Sequence, residues 1–445
     1  MKLLRACLVL LVALCLKPLH AAEVQEFTLR NGMKVLIVEE HKAPVATFQV
    51  WYRVGGRDEP MGKSGMSHLL EHMMFKGTSR YGPSEFSQLV QKNGGTDNAY
   101  TTKDYTVYFQ LFASDRITLS VDLEADRIQN LLIDQKEFLS EKNVVMEERR
   151  LRYEDDPQNS LFEEVVATAF KAHPYQRPVI GWMSDIRSIE RDDLVRYYKT
   201  FYSPENAFII VVGDVDSKDM AQRIRDAFER IPSGSLAMRA EYQEPEQKGE
   251  RRLTLKKEAE LPAVIAAYHV PNFPHEDSYA LDIASLILSG GKSSRLYQSL
   301  VYQKKIALGA AADYSGFNLD PYLFFLFATA SPGISIEDVE KTLYQEIEHL
   351  KRSPPSEREL QKAKNQIEAS FIMGQDSIYV QARQYGMFEM LGDWRLMERY
   401  LEGIQRVTAA DVSRVARKYL TEDNRTVGVL IPIRKEKSNE WTEKD

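Results

Sequence analysis

Residues 186–212 read IRSIERDDLVRYYKTFYSPENAFIIVV, and residues 404–430 read IQRVTAADVSRVARKYLTEDNRTVGVL. The two stretches align without a gap at a constant offset of 218, which places Asp193 on Asp411, Arg196 on Arg414, Phe201 on Tyr419 and Asn206 on Asn424. A shared helix-then-strand pattern explains the apolar matches, such as Ile186 with Ile404 and Ile189 with Val407. The identical Asp, Arg and Asn point beyond pattern to an internal duplication. The chain therefore reads as two halves of one α+β design, each large enough for its own core.

Between the halves, residues 232–252 (PSGSLAMRAEYQEPEQKGERR) are polar, contain Pro and Gly and lack apolar periodicity, the composition of a linker. The domains are then 22–231 and 253–445. Within the first, Asn31-Gly32 separates two apolar runs in Phe27–Val38 and predicts a hairpin. Val45–Val54 reads as a strand, and Gly62–Gly77 carries a helix with Ser64 or Ser67 placed to cap it. Tyr105, Val107, Phe109 and Leu111 alternate with Thr106, Tyr108 and Gln110, the period of a half-buried strand. Ser114–Asn130 and Lys136–Tyr153 read as helices, and the half closes with a helix over Asp192–Thr200 and a strand over Phe208–Val212.

The first 21 residues stand apart. Lys2 and Arg5 precede an uninterrupted apolar run from Ala6 to Leu16, followed by Lys17, Pro18, Ala21 and Ala22. That is the layout of a secretory signal peptide, cut here after Ala21, and it is too short to span about 30 Å of hydrocarbon. The expected location is across the inner membrane, in the periplasm, with no membrane span in the mature chain. Removal of residues 1–21 takes out three bases and no acid, so the formal charge moves from −7 to −10. It also removes Cys7 and Cys15. A mature chain without cysteine has no disulfide and must hold any metal with His, Asp or Glu. Its acidic balance argues against nucleic acid as a partner.

The chemistry concentrates in His68-Leu69-Leu70-Glu71-His72. On a helix, residues i, i+3 and i+4 share a face, so two imidazoles and a carboxylate converge. This is a zinc-ligand set in H-x-x-E-H order. Met66, Leu69, Leu70, Met73 and Met74 make the surroundings apolar, and a buried pair of histidines needs partners that a metal supplies. A catalytic zinc takes a third protein ligand. The helix over Lys136–Tyr153 offers Glu141, Glu147 and Glu148. Glu141 and Glu148 lie two turns apart on one stripe with Val144, while Glu147 points about 100° away; periodicity leaves the choice open. The remaining histidines, His41, His173, His269, His275 and His349 among them, show no ligand spacing.

The runs GKSGMSHLLEHMMFKGTSRY, GGTDNAYTTKDYTVYF, EKNVVMEERRLRYEDDP and HPYQRPVIGWMSDI together resemble the pitrilysin and mitochondrial processing peptidase family of zinc peptidases. The resemblance covers nearly the whole mature chain. It implies two homologous domains, each a mostly antiparallel sheet flanked by helices, and one Zn2+ per chain. In that family the third ligand is a glutamate in a segment like VVMEE, which falls on Glu148, and a supporting glutamate falls on Glu141. Zinc on His68, His72 and Glu148 implies peptide-bond hydrolysis without a covalent intermediate, with Glu71 as general base. Asn98, Ala99 and Tyr100 match a strand that pairs with the substrate backbone.

The chain departs from the family in its second half. The segment LDIASLILSGGKSSRL has no zinc ligands, as expected for one metal site per chain. Self-sufficient members also carry an Arg and a Tyr there that hold the substrate carbonyl, whereas here Tyr302 stands at the arginine position and Leu308 at the tyrosine position, with Arg295 nearby. Some members are heterodimers in which a zinc-free chain brings the Arg and Tyr. The resemblance thus implies a zinc endopeptidase for short or unfolded peptides, completed by a homologous subunit or a second copy of itself. The competing reading is a non-catalytic structural or chaperone-like subunit; the intact set of His68, Glu71, His72 and Glu148 argues against it.

Overall fold

A computed structural model describes residues 24–234 and 239–433. The leader expected over 1–21, its cleavage site and both cysteines lie outside the described residues. The first half runs β1 (Val24–Thr28), β2 (Lys34–Glu39), β3 (Val45–Tyr52), α1 (Met66–Met73), α2 (Glu85–Lys92), β4 (Thr96–Thr101) and β5 (Thr106–Ala113). It continues with α3 (Thr118–Asn130), α4 (Gln135–Arg149), α5 (Pro157–Ala169), α6 (Met183–Ser188), α7 (Arg191–Phe201), β6 (Ala207–Gly213) and α8 (Ser217–Phe228). The second half runs β7 (Arg251–Glu258), β8 (Ala263–Val270), α9 (Glu276–Ser289), β9 (Ala307–Tyr314) and β10 (Tyr322–Ala330). It ends with α10 (Ile336–Arg352), α11 (Glu357–Gly374), α12 (Ile378–Met390), α13 (Leu396–Arg406), α14 (Ala409–Tyr419) and β11 (Arg425–Ile433).

The fold is α+β, with two sheets of matching topology. The first is six-stranded in the order β1-β2-β6-β3-β5-β4, and the second is five-stranded in the order β7-β11-β8-β10-β9. In each, one neighbouring pair is parallel (β2 with β6, β7 with β11) and the rest are antiparallel. The residues identical between the repeats make corresponding local bonds. Asp193 and Asp411 each accept from the backbone N–H three residues earlier, at 3.0 Å, and so cap α7 and α14. Arg196 and Arg414 each reach back to those aspartates. Asn206 and Asn424 each donate to the last turn of the preceding helix, at Phe201 O and Tyr419 O, both at 2.8 Å.

Each half lends one helix to the other. The inner faces of the two sheets pack on their own helices. The outer face of the first sheet, with Trp51, Val107, Phe208 and Ile210, is covered by Ala382, Tyr385 and Met390 of α12 or just beside it. The outer face of the second sheet, with Ile265, Leu323 and Phe325, is covered by Leu161, Val165 and Val166 of α5. Strand β5 therefore differs from the half-buried strand its alternation predicts. Tyr108 and Phe112 lie in the domain core, while Val107 lies under α12 and Phe109 packs at a tilt against Tyr379.

Polar contacts reinforce this join. Arg57 and His173 both reach Asp320, at 2.6 and 2.9 Å, and Asp104 accepts from Tyr175 Oη at 2.6 Å and from Leu319 N at 3.1 Å. The polar stretch 239–248 lies on this join. Glu244 accepts the backbone N–H groups of Lys171, Ala172 and His173, and Arg239 donates to Asp104 O. The next strand already starts at Arg251, inside the segment read as linker. Among the described residues no helix is long and apolar enough to cross a membrane.

Candidate metal centre

Helix α1 is shorter than the sequence suggests, spanning Met66–Met73, and neither Ser64 nor Ser67 caps it. Ser64 Oγ donates instead to Asp185 Oδ2 at 2.6 Å, and Ser67 Oγ shares a hydrogen bond with Tyr197 Oη. The cap comes from Glu59, buried at 3% exposure, whose two carboxylate oxygens accept from Gly65 N and Ser67 N at 2.8 and 2.7 Å. Serine caps act within a few residues of the helix start, so a carboxylate from an earlier turn leaves no local sequence signal. Gly65 enters the helix at φ +93°, and a Cβ there would meet Ile180 O at 2.5 Å; only glycine fits both demands.

The helix aims His68 and His72 at α4. Leu69, Leu70 and Met73 anchor it in the core from the other side. From α4, Glu148 Oε2 lies 3.7 Å from His68 Nε2 and 3.5 Å from His72 Nε2. Glu147, one residue earlier, is turned outward to Arg150. Glu141, two turns back on the stripe of Glu148, accepts from His72 Nδ1 at 3.1 Å and pairs with Lys76 at 2.6 Å. Val144 and Leu151 lie in the cleft wall rather than in the core.

The arrangement fits a zinc ion. Donor atoms of His68, His72 and Glu148 all lie within 4.8 Å of one another. Tetrahedral donors at about 2.0–2.2 Å from zinc stand roughly 3.3–3.6 Å apart, close to the two histidine–glutamate distances. Engagement of His72 Nδ1 by Glu141 leaves Nε2 for the metal, the arrangement in which a carboxylate behind a histidine fixes ring orientation and basicity. Among the described residues, His68 Nδ1 is buried without a hydrogen-bond partner.

Electrostatics follow from crowding. Burial holds the His68 imidazole down at about 4, with the neighbouring His72 adding to the effect. For His72 burial works the same way, but Glu141, Glu148 and Glu71 outweigh it and hold it up at about 9. The bond to His72 keeps Glu148 below the usual carboxylate range. Burial pushes Glu71 up. Its carboxylate accepts from Thr101 Oγ1 at 2.5 Å.

His68, Glu71, His72 and Glu148 line a cleft of about 1230 Å³ together with Asn98, Ala99, Tyr100, Thr101, Arg152 and Tyr153. Strand β4, which carries Asn98–Thr101, is one of the two edge strands of the first sheet, so among the described residues one rim of its backbone has no strand partner. Arg152 pairs with Glu148 Oε1 at 3.0 Å. Thr101 and Arg152 were not marked by spacing: Thr101 sits in the quoted TDNAYT run, but its meeting with Glu71 depends on how β4 packs on α1. In the second half Arg295 is held by Glu359 at 2.7 and 3.2 Å, and Tyr302 and Leu308 are exposed.

Residues 34–182 match the family model described as insulinase (peptidase family M16), and residues 188–367 match the one described as peptidase M16 inactive domain. Zinc protease PqqE of Helicobacter pylori is 34% identical over 412 residues, covering 92% of this chain and 93% of that protein. The crystal structure of a protease from Helicobacter pylori superposes with a TM-score of 0.89 at 33% identity, over 92% of this chain and 100% of that one. The periplasmic protease PqqL from Escherichia coli shares the fold, with a TM-score of 0.77 at 18% identity, over 93% of this chain but 48% of its own length. On the family models and the identity to PqqE, this chain belongs to peptidase family M16, the pitrilysin-like zinc proteases.

Proposed function

We propose that the chain is a zinc-dependent endopeptidase for short or unfolded peptides. The observation that carries the reading is the convergence of His68, His72 and Glu148 within one cleft, with Glu71 beside them on the same helix. His68, His72 and Glu148 would hold one Zn2+, which when bound supplies Lewis-acid chemistry to a scissile carbonyl and acidifies water. Glu141 keeps the His72 ring turned toward that ion. Glu71 takes a proton from the attacking water and returns it to the leaving amine, a role that its raised proton affinity suits. The free rim of β4 takes the substrate backbone at Asn98, Ala99 and Tyr100 as an added strand, so main-chain hydrogen bonds give affinity with little sequence demand.

At the second-half positions matched to the Arg and Tyr that hold the carbonyl in self-sufficient members stand Tyr302 and Leu308, and nearby Arg295 is engaged by Glu359. A homologous partner chain, or a second copy, would bring those donors over the cleft; fixed donors of this kind are a large catalytic term. The apolar leader supports a periplasmic setting for this work.

The test is hydrolysis of quenched fluorescent peptides by the zinc-loaded mature chain, alone and with candidate partner chains, beside Glu71→Gln. Cleavage that falls by about 10²–10⁴-fold in Glu71→Gln is expected. Equal rates in the two proteins would sink the reading, and full activity of the isolated monomer would remove the need for a partner.

A further inference from the structure

A general base must be held as well as placed. Glu71 reaches into the cleft on a side chain with three rotatable bonds, and among the described residues its carboxylate has one hydrogen-bond partner, Thr101 Oγ1, at 2.5 Å. We infer that Thr101 is the positioning residue for Glu71: its hydroxyl pins Oε2 and leaves Oε1 as the oxygen that takes the proton. The inference rests on the zinc-peptidase reading.

Three features of the fold support it. Thr101 is the last residue of β4 and lines the cleft with Glu71, so the bond joins the strand proposed to receive substrate to the group proposed to attack it. A substrate strand seated on β4 therefore finds the base already aligned. Second, Thr101 is itself fixed from behind. It pairs with Thr106 across the β4–β5 hairpin, and in the turn Thr102 Oγ1 donates to Tyr105 O at 3.0 Å. Third, the same turn is moored to the rest of the molecule. Lys103 donates to Tyr175 O and Arg177 O at 2.7 and 3.1 Å, and Asp104 accepts from Leu319 N of the second half. The hydroxyl thus stands on a rigid base rather than on a loop, which is what positional control of a reacting group requires.

Thr101→Val keeps the β-branched shape and the strand preference and removes only the hydroxyl; Thr101→Ser restores it. In the zinc-loaded mature chain, with its partner where activity needs one, Thr101→Val is expected to lower kcat by about 10–100-fold, with KM within roughly threefold of wild type. Thr101→Ser is expected to return kcat to within about threefold. An unchanged kcat in the valine variant, a loss confined to KM, or a serine variant no better than valine would overturn the inference. Crystal structures of the wild type and Thr101→Val give a second readout that needs no turnover. A Glu71 carboxylate swung away from its wild-type position in the variant supports the inference, and an unmoved one overturns it. A wild-type chain that matches Glu71→Gln in every peptide assay would count against the peptidase reading, while the crystal structures would still decide what Thr101 does to Glu71.

Discussion

Glu59 carries a cost that bears on the metal helix. Its carboxylate satisfies the first free N–H groups of α1, yet burial pushes it up to about 7 from an ordinary 4.5. The native chain then keeps a proton on Glu59 between about pH 4.5 and 7 while the unfolded chain has lost it. Stability must fall as pH rises through that window, by up to about 3 kcal/mol, and level off above it. Glu59→Gln has no such proton. Urea unfolding at pH 4 and pH 8 is therefore expected to show a smaller loss of stability in the variant than in wild type, and equal losses would contradict the assignment. At this scale the sequence was legible where geometry is local. His68, Glu71 and His72 share a face because a helix repeats every 3.6 residues, and no tertiary knowledge is needed. The choice between Glu147 and Glu148 was not legible from periodicity, since it depends on which face of α4 meets α1. The Glu59 cap and the Thr101–Glu71 bond were hidden for the same reason.

Among the elements, the two exchanged helices determine how the halves hold together, and each crosses its sheet at a glycine. A Cβ on Gly386 of α12 would lie 2.1 Å from the Trp51 ring, and one on Gly428 of β11 would lie 2.3 Å from Val165 of α5. Both neighbours are buried in the join, so neither can move aside. Gly386→Ala and Gly428→Ala are each expected to cost about 1–3 kcal/mol by overpacking, seen as a lower urea midpoint. Gly309→Ala, on an edge strand with open space at that point, is the matched control and should be close to neutral. A Gly386→Ala midpoint equal to that of the control would contradict the packing account. Alternation in β5 announced a strand but not its second covering, because the apolar residues on its outer face answer to a helix about 270 residues away in sequence. The hairpin at Asn31-Gly32 and the repeated helix-strand unit were readable because their signals are confined to neighbouring residues.

For the whole molecule, the duplication read at offset 218 describes the architecture well, down to the matching bonds of Asn206 and Asn424. It also sets the asymmetry on which function depends. Among the described residues the His–His–Glu cluster lies in the first half alone, and residues 188–367 match a domain described as inactive. The first sheet supplies the free edge and the cleft; the second half lends α12 and the Leu319–Asp320 contacts that brace them. The central claim is that one zinc ion per chain sits between α1 and α4. Anomalous diffraction at the zinc edge from crystals of the metal-loaded mature chain tests it most directly. The account predicts a single peak per chain within about 2.0–2.2 Å of His68 Nε2, His72 Nε2 and a Glu148 oxygen; no peak there, or a peak ligated by Glu147 in place of Glu148, would contradict it.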